Sequence, residues 1–214
     1  MANKSKGQRL LERAYKLATP HDNQGYYDEF AATYDTDFAA ALGYHYPKAI
    51  ASAYLTQATT TDRPIADIGC GTGLVAEALG LPPDEIDGID ISDEMLAAAK
   101  GKGLYRSTIK ADLTASLAAL QNDYGAVVSA GTFTYGHLGP EPLERLLDIA
   151  RPGALFVIGV NKAFFVTAGF ERIVNRMRSA GVISDPRLVE APMYDRQGHD
   201  HSADMAYVLC FRKT

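Results

Sequence analysis

A glycine-rich segment that begins with acidic and apolar residues carries the clearest chemical signal in the sequence. It reads Ile65-Ala66-Asp67-Ile68-Gly69-Cys70-Gly71-Thr72-Gly73. Glycines at alternate positions remove the Cβ atoms that would keep a ligand away from the backbone. The segment ends a predicted strand and begins a predicted helix, and open α/β sheets bind ligands at that edge. We therefore expect a binding loop formed by Gly69, Cys70, Gly71 and Gly73.

Two kinds of ligand fit this loop. The pattern Gly71-x-Gly73-x-x-Ala76 matches the loose glycine pattern of dinucleotide-binding folds. Asp67 favours another ligand, because a carboxylate near the end of the strand can face a cation but repels a pyrophosphate. S-adenosylmethionine carries an ammonium and a sulfonium group, and we expect it as the cofactor. An NAD(P)-dependent oxidoreductase remains the alternative.

Two further acids follow the loop, each at the end of a later predicted strand. Asp90 lies about 20 residues after the glycines, a distance that suits a carboxylate accepting hydrogen bonds from ribose hydroxyls. Ser92 is a better helix-cap candidate than Asp90. Asp112 can accept from an adenine amino group while the backbone N–H of Leu113 meets a ring nitrogen. The other interpretation of Asp112 is an N-cap for a helix over 115–121.

Short β-rich runs alternate with helical segments from residue 63 onward, which predicts βαβ units. The predicted strands are 65–68, 85–90, 104–110, 126–130, 155–160, 188–194 and 203–212. The predicted helices between them are 73–80, 92–101, 115–121, 141–150 and 164–180. The polar segment 195–202 is too short to hold a helix, so the last two strands should be antiparallel. We expect an α/β fold with a doubly wound, seven-stranded mixed sheet whose last strand is antiparallel.

Length, net charge and the lengths of the apolar runs restrict the class of protein. We expect one domain over 1–214, with a helical, tyrosine-rich N-terminal cap (1–60) that acts as a lid and an α/β core (61–214). A net charge of −5 argues against a nucleic-acid partner. No apolar run approaches the roughly 20 residues that span a membrane, so we expect a cytoplasmic protein. We expect no metal site, and the sequence leaves the oligomeric state open.

The glycine loop together with Asp67, Asp90 and Asp112 resembles the class I S-adenosylmethionine-dependent methyltransferases over about residues 60–214. That resemblance implies a seven-stranded sheet with an antiparallel last strand, and S-adenosylhomocysteine as the product. Segments 26–35 and 131–139 are also similar to the Williams–Beuren syndrome chromosome-region methyltransferase-like group.

The resemblance also implies which residues contact the methyl donor. They are Tyr27, Tyr34, Gly69, Asp90, Ile91, Met95 and Ala130. The two tyrosines would approach the methionine carboxylate, and the glycine carbonyl would accept from the ammonium. The aspartate would hold the ribose, the isoleucine or methionine would pack on the adenine, and the alanine would lie near the sulfonium.

Methyl transfer makes few demands on side chains, because it mainly requires the acceptor to be held in line with the methyl group. A general base is needed only where the acceptor must lose a proton. The fourth strand is followed by neither the Asn/Asp-Pro-Pro-Tyr pattern nor a Pro-Cys nucleophile of nucleic-acid enzymes, so we expect a small-molecule acceptor. Tyr135 and His137 are the candidate catalytic residues. A protein that binds S-adenosylmethionine without catalysis is a further alternative.

Overall fold

The computed structural model describes residues 5–17, 20–195 and 198–214. The N-terminal block is helical. Its elements are α1 (Lys6–Ala14), α2 (Pro20–Phe30), a 3-10 turn (Ala31–Thr33), a π-helical segment (Tyr34–Ala40) and α3 (Tyr46–Gln57). The helix α1 begins at a capping box, in which Ser5 Oγ accepts from Gln8 N and Gln8 Oε1 accepts from Ser5 N.

A seven-stranded mixed sheet follows. Its strands are β1 (Ile65–Ile68), β2 (Ile86–Asp90), β3 (Ser107–Lys110), β4 (Tyr124–Phe133), β5 (Ala150–Asn161), β6 (Arg187–Pro192) and β7 (Met205–Arg212). Their order in the sheet is β3-β2-β1-β4-β5-β7-β6. The first five strands are paired in parallel, and β7 is antiparallel to both of its neighbours. The predicted fold class is therefore confirmed.

The connecting helices differ from the predicted ones in three places. They are α4 (Leu74–Leu79), α5 (Asp93–Gly101), α6 (Pro142–Leu146), α7 (Lys162–Thr167) and α8 (Phe170–Ser179). The predicted helix 115–121 is absent, because turns fill this segment after Asp112 accepts from the backbone of Thr114. The predicted helix 164–180 is two helices, since Gly169 adopts φ +78° between them. The predicted helix 141–150 ends early, and its last residue already belongs to β5.

The two faces of the sheet are buried against different helices, so alternate strand residues point into two separate cores. Buried residues of α3 and α4, such as Ile50 and Val75, share one core with Ile65 of β1. Buried residues of α7 and α8, such as Phe165, share the other core with Ile68. No helix among the described residues is long and apolar enough to cross a membrane.

Strand β1 lies between β2 and β4, because the chain passes outward from β1 through β2 to β3 and then crosses back to β4 on the other side of β1. This is the topological switch point of the sheet, and a crevice forms there beyond the carboxyl ends of the strands. The fold thus brings the residues after β1, β2 and β4 to one place.

Candidate functional site

A cleft of about 740 Å³, counting the space at its open mouth, lies at this switch point. It is lined by Asn23, Tyr27, Tyr34, Gly69, Gly71, Asp90, Ile91, Met95, Ala111, Asp112, Leu113, Ala130, Gly131, Thr132, His137 and Leu138. Most of the predicted donor-contacting residues are among them.

The glycine loop follows β1 in a conformation that side chains oppose. Gly69, Gly71 and Gly73 have φ values of +63°, +53° and +92°. A Cβ at Gly69 would lie 2.1 Å from Thr132 Oγ1, so β4 packs directly against the loop. A Cβ at Gly71 would meet nothing within 4 Å, which leaves room for a ligand beside this residue.

Backbone N–H groups of the loop are already used within the chain. Those of Gly69 and Cys70 donate to the carbonyl of Ile89, over 2.8 and 3.1 Å. The N–H of Gly71 donates to Asp90 Oδ2 over 2.8 Å. A dinucleotide loop offers such donors to a pyrophosphate. Here these three donors are satisfied before any ligand binds.

Asp90 ends β2, and its two carboxylate oxygens accept hydrogen bonds from the glycine loop and from the start of α5. Besides the bond from Gly71, its Oδ1 accepts from Ser92 N over 3.0 Å. Ser92 caps α5 as predicted, since its Oγ accepts from Met95 N over 3.0 Å. Burial raises the pKa of Asp90, although the backbone hydrogen bonds oppose this effect. Each carboxylate oxygen can accept more than one hydrogen bond, so the group retains capacity for a hydroxyl ligand.

Asp112 and Leu113 line the cleft together with the apolar side chains of Ile91 and Met95. Asp112 Oδ1 accepts from the N–H and the hydroxyl of Thr114, over 2.8 and 2.6 Å. Its Oδ2 has no partner among the described residues. These residues therefore combine an acceptor oxygen on Asp112 with the apolar side chains of Ile91 and Met95, as a site for a planar base requires.

Three predicted donor-contacting residues do not line the cleft: Asp67, Cys70 and Gly73. Asp67 is fully buried, and Tyr105 donates to its Oδ2 over 2.7 Å. The Tyr105 ring fills the space beside Gly73, where a Cβ would lie 3.1 Å from it. Burial raises the pKa of Asp67 to about 7 and raises that of Cys70 as well. Asp67 therefore supports the glycine loop through its hydrogen bond with Tyr105 and does not face the cleft.

The candidate catalytic residues separate in the structure. His137 lines the cleft, and its Nε2 lies 2.6 Å from the hydroxyl of Tyr27. Its Nδ1 lies 2.9 Å from the carbonyl oxygen of Tyr135, and burial lowers the His137 pKa. The side chain of Tyr135 lies outside the cleft, where its hydroxyl pairs with Thr167 Oγ1 and its ring contacts Phe164.

The N-terminal block closes one side of the cleft. Asn23, Tyr27 and Tyr34 line it from this block. Asn23 Nδ2 donates to the carbonyl of Gly136 over 2.8 Å, which ties α2 to the loop after β4. The hydroxyl of Tyr34 has no hydrogen-bond partner in the described part of the chain.

Sequence reasoning missed five lining residues: Asn23, Ala111, Gly131, Thr132 and Leu138. Gly131, Thr132 and Leu138 lie in the segment after β4 that carries the narrower resemblance, so their position offered a signal. Ala111 precedes Asp112 and was within reach of the same argument. Asn23 lies in a helix with no motif, and nothing in its local sequence marks it.

The donor set fits S-adenosylmethionine better than a phosphate-bearing nucleotide. Asp90 and Asp112 supply the charged groups, and no lysine or arginine is among the described lining residues. A pyrophosphate would lack any cationic partner here, whereas a sulfonium and an ammonium would be favoured. No group of three or more His, Cys, Asp or Glu in the described residues is arranged to hold a metal ion.

Comparison with known proteins agrees with this geometry. Residues 65–153 match the family model described as a methyltransferase domain, which spans the glycine loop and all three acids. A search of curated proteins found no significant match. Residues 65–153 are thus similar to a methyltransferase domain, and the solved structures described next share the fold of the whole chain.

Three of the similar solved structures illustrate the fold. A proposed methyltransferase from Methanococcus maripaludis has 17% identity and a TM-score of 0.56, covering 97% of this chain and 95% of its own. A TehB-like methyltransferase from Corynebacterium glutamicum has 19% identity and a TM-score of 0.55, covering 92% and 100%. The [4+2]-cyclase SpnF has 17% identity and a TM-score of 0.61, covering 92% and 97%. Because a cyclase shares it, the fold alone does not determine the reaction.

Proposed function

We propose that this protein transfers the methyl group of S-adenosylmethionine to a small-molecule acceptor by in-line displacement at carbon. The observation that carries the proposal is the cleft beside Gly71, in which Asp90 and Asp112 are the only charged side chains among the described lining residues. The similarity of segments 26–35 and 131–139 to the Williams–Beuren methyltransferase-like group belongs to the same proposal.

In this proposal each end of the cleft holds one part of the methyl donor. Asp90 accepts from the ribose hydroxyls, and Asp112 accepts from the adenine amino group beside Leu113 N–H. Ile91 and Met95 pack on the base. The Gly69 carbonyl accepts from the methionine ammonium, and Ala130 lies near the sulfonium.

The donor supplies a methyl group on a positively charged sulfur, which is already a good leaving group. The chain has to hold the acceptor close to that methyl group and in line with the C–S bond. The N-terminal cap (1–60) acts as the lid of a single domain, with Tyr27 and Tyr34 supplying its contacts to the cleft. Excluding water there strengthens every electrostatic contact inside. His137 is the candidate catalytic residue in the cleft.

The contact between the N-terminal block and the loop after β4 supports a small acceptor. Asn23 of α2 donates to the carbonyl of Gly136, so a macromolecule that approached from this side would have to displace that hydrogen bond.

The two alternatives are an NAD(P)-dependent oxidoreductase and a protein that binds S-adenosylmethionine without methyl transfer. The satisfied loop donors weigh against the first, as does the absence of a lysine or arginine from the described lining residues. The second is separated from the proposal by turnover alone.

The test is formation of S-adenosylhomocysteine by the purified protein with S-adenosylmethionine and a panel of amines, phenols, thiols and carboxylic acids. We expect product with at least one acceptor, and its loss in Asp90→Asn, where one carboxylate oxygen becomes a donor. Donor binding without turnover across the panel would favour a binding protein instead.

A further inference from the structure

The hydrogen bonds of His137 fix the positions of its protons. A carbonyl oxygen only accepts, so the 2.9 Å contact with the Tyr135 carbonyl requires a hydrogen on Nδ1. Burial lowers the pKa of His137, and no charged side chain contributes to that shift. The ring is therefore neutral near pH 7, and its Nε2 carries a lone pair. The hydroxyl at 2.6 Å must then be the donor, so Tyr27 donates to Nε2.

This bond changes what Tyr27 can do. The hydroxyl group of a tyrosine has one hydrogen to donate, and Tyr27 already donates it to His137. Tyr27 therefore cannot also donate to the methionine carboxylate, the role that the family resemblance implied. Tyr34 lines the same cleft with a hydroxyl that has no partner among the described residues, so it can take that role. The oxygen of Tyr27 keeps the capacity to accept a proton.

The charge of the cleft restricts the acceptor. The described lining residues include no lysine or arginine, and their two charged side chains, Asp90 and Asp112, are both acids. An anionic group enclosed there would have no partner, and such burial is costly. Besides His137, the titratable groups that act on the Tyr27 hydroxyl are those of Tyr15, Tyr26, Tyr44 and Asp90, none of which is cationic. The reacting group of the acceptor should therefore not be an anion, and since an ammonium has no lone pair with which to attack the methyl carbon, the group must react in an uncharged form.

We propose that Tyr27 and His137 form a proton relay for an acceptor whose reacting atom is an uncharged N–H or O–H group. This inference rests on the proposed function. As the bond from nitrogen or oxygen to the methyl carbon forms, the C–S bond breaks and its electron pair stays on sulfur. The proton of the nucleophile moves to Tyr27 Oη, and the proton of Tyr27 moves to His137 Nε2. The positive charge thus passes from the sulfonium to the imidazolium.

Two measurements on the whole protein test the relay without an acceptor. Nitrogen-15 NMR of histidine-labelled protein should show His137 protonated on Nδ1 and not on Nε2, with the Nε2 signal shifting in Tyr27→Phe. Titration with S-adenosylhomocysteine should show binding weakened about tenfold in Tyr34→Phe and weakened clearly less in Tyr27→Phe. A proton on Nε2, or weakened binding in Tyr27→Phe with unchanged binding in Tyr34→Phe, would overturn the assignment.

Kinetics with an acceptor found in the panel complete the test. In Tyr27→Phe and His137→Gln, kcat should fall by about 10²–10⁴-fold with little change in the KM for S-adenosylmethionine. The acid limb of the kcat–pH profile, which reports the loss of neutral His137, should vanish in His137→Gln. Tyr207→Phe, a tyrosine of β7 outside the cleft lining, is the matched control.

The two proposals fail in different ways. No turnover by the wild type with any acceptor would overturn the proposed function and the relay with it. Turnover in Tyr27→Phe equal to that of Tyr207→Phe and the wild type would overturn the relay alone. Turnover confined to carboxylic acids or thiolates would contradict the uncharged acceptor.

Discussion

The raised pKa of Asp67 leads to a prediction about how the free energy of unfolding depends on pH. The pKa of this carboxyl group in the folded protein is about 7, against an ordinary value of 3.8, because the group is buried. Between these values the folded state holds a proton that the unfolded chain has released. Stability must therefore fall as pH rises through this window.

The variant Asp67→Asn should remove this dependence, because it keeps an acceptor for Tyr105 and cannot ionise. We expect the wild type to lose on the order of 3 kcal/mol of unfolding free energy relative to Asp67→Asn between pH 5 and pH 8. Urea denaturation at both pH values measures the difference. Asp84→Asn, at an exposed position, is the control. Parallel pH dependence in the wild type and Asp67→Asn would refute the shifted pKa.

At the level of single residues, the sequence predicts what depends on local chain order. Asp90 ends β2 and Asp112 follows the end of β3 by two residues, and the structure brings both into the lining of the cleft. The hydrogen bond of Asp67 joins it to Tyr105, which is 38 residues away in the sequence. The Tyr27–His137 bond joins side chains 110 residues apart, and no spacing rule could reveal it.

At the level of elements, strands were easier to predict than helices. Buried parallel strands are continuous apolar runs, and β1 has the predicted bounds of Ile65–Ile68. The segment 115–121 has helix-forming composition, yet Asp112 and Thr114 redirect the backbone into turns. Composition could not show this, because the competing bonds run from a side chain to the backbone.

The loop after β4 packs closely against the N-terminal block at Gly136, and this contact leads to a prediction. Gly136 has φ +77°, and a Cβ there would lie 2.4 Å from the carbonyl oxygen of Ala14. In Gly136→Ala the end of α1 must therefore move away from the loop that carries His137. We expect weaker binding of S-adenosylhomocysteine, by about tenfold, because the lid then closes poorly. Calorimetric titration measures this change.

Gly153→Ala is a matched control for that variant. Gly153 has φ +85°, so alanine there carries a similar left-handed penalty of about 1–2 kcal/mol. A Cβ at this position meets nothing within 4 Å, and the site lies outside the cleft lining. Equal affinity in the two alanine variants would remove the argument for a lid.

At the level of the whole molecule, the sheet order explains why the site forms where it does. Because β1 lies between β2 and β4, the crevice forms at the carboxyl ends of these three strands. The glycine loop, Asp90 and the loop of His137 follow or end these strands and therefore meet at one edge. The terminal antiparallel pair followed from a connection too short for a helix. The closure of the cleft by the N-terminal helices required the structure, since their contacts are long-range side-chain bonds.

The central claim is that this cleft receives a sulfur nucleoside, and calorimetric titration of the purified protein tests it most directly. S-adenosylhomocysteine and NADH are titrated under identical conditions. The geometry predicts saturable binding of one S-adenosylhomocysteine per chain and no heat of binding for NADH. Saturable binding of NADH with none of S-adenosylhomocysteine would contradict the account.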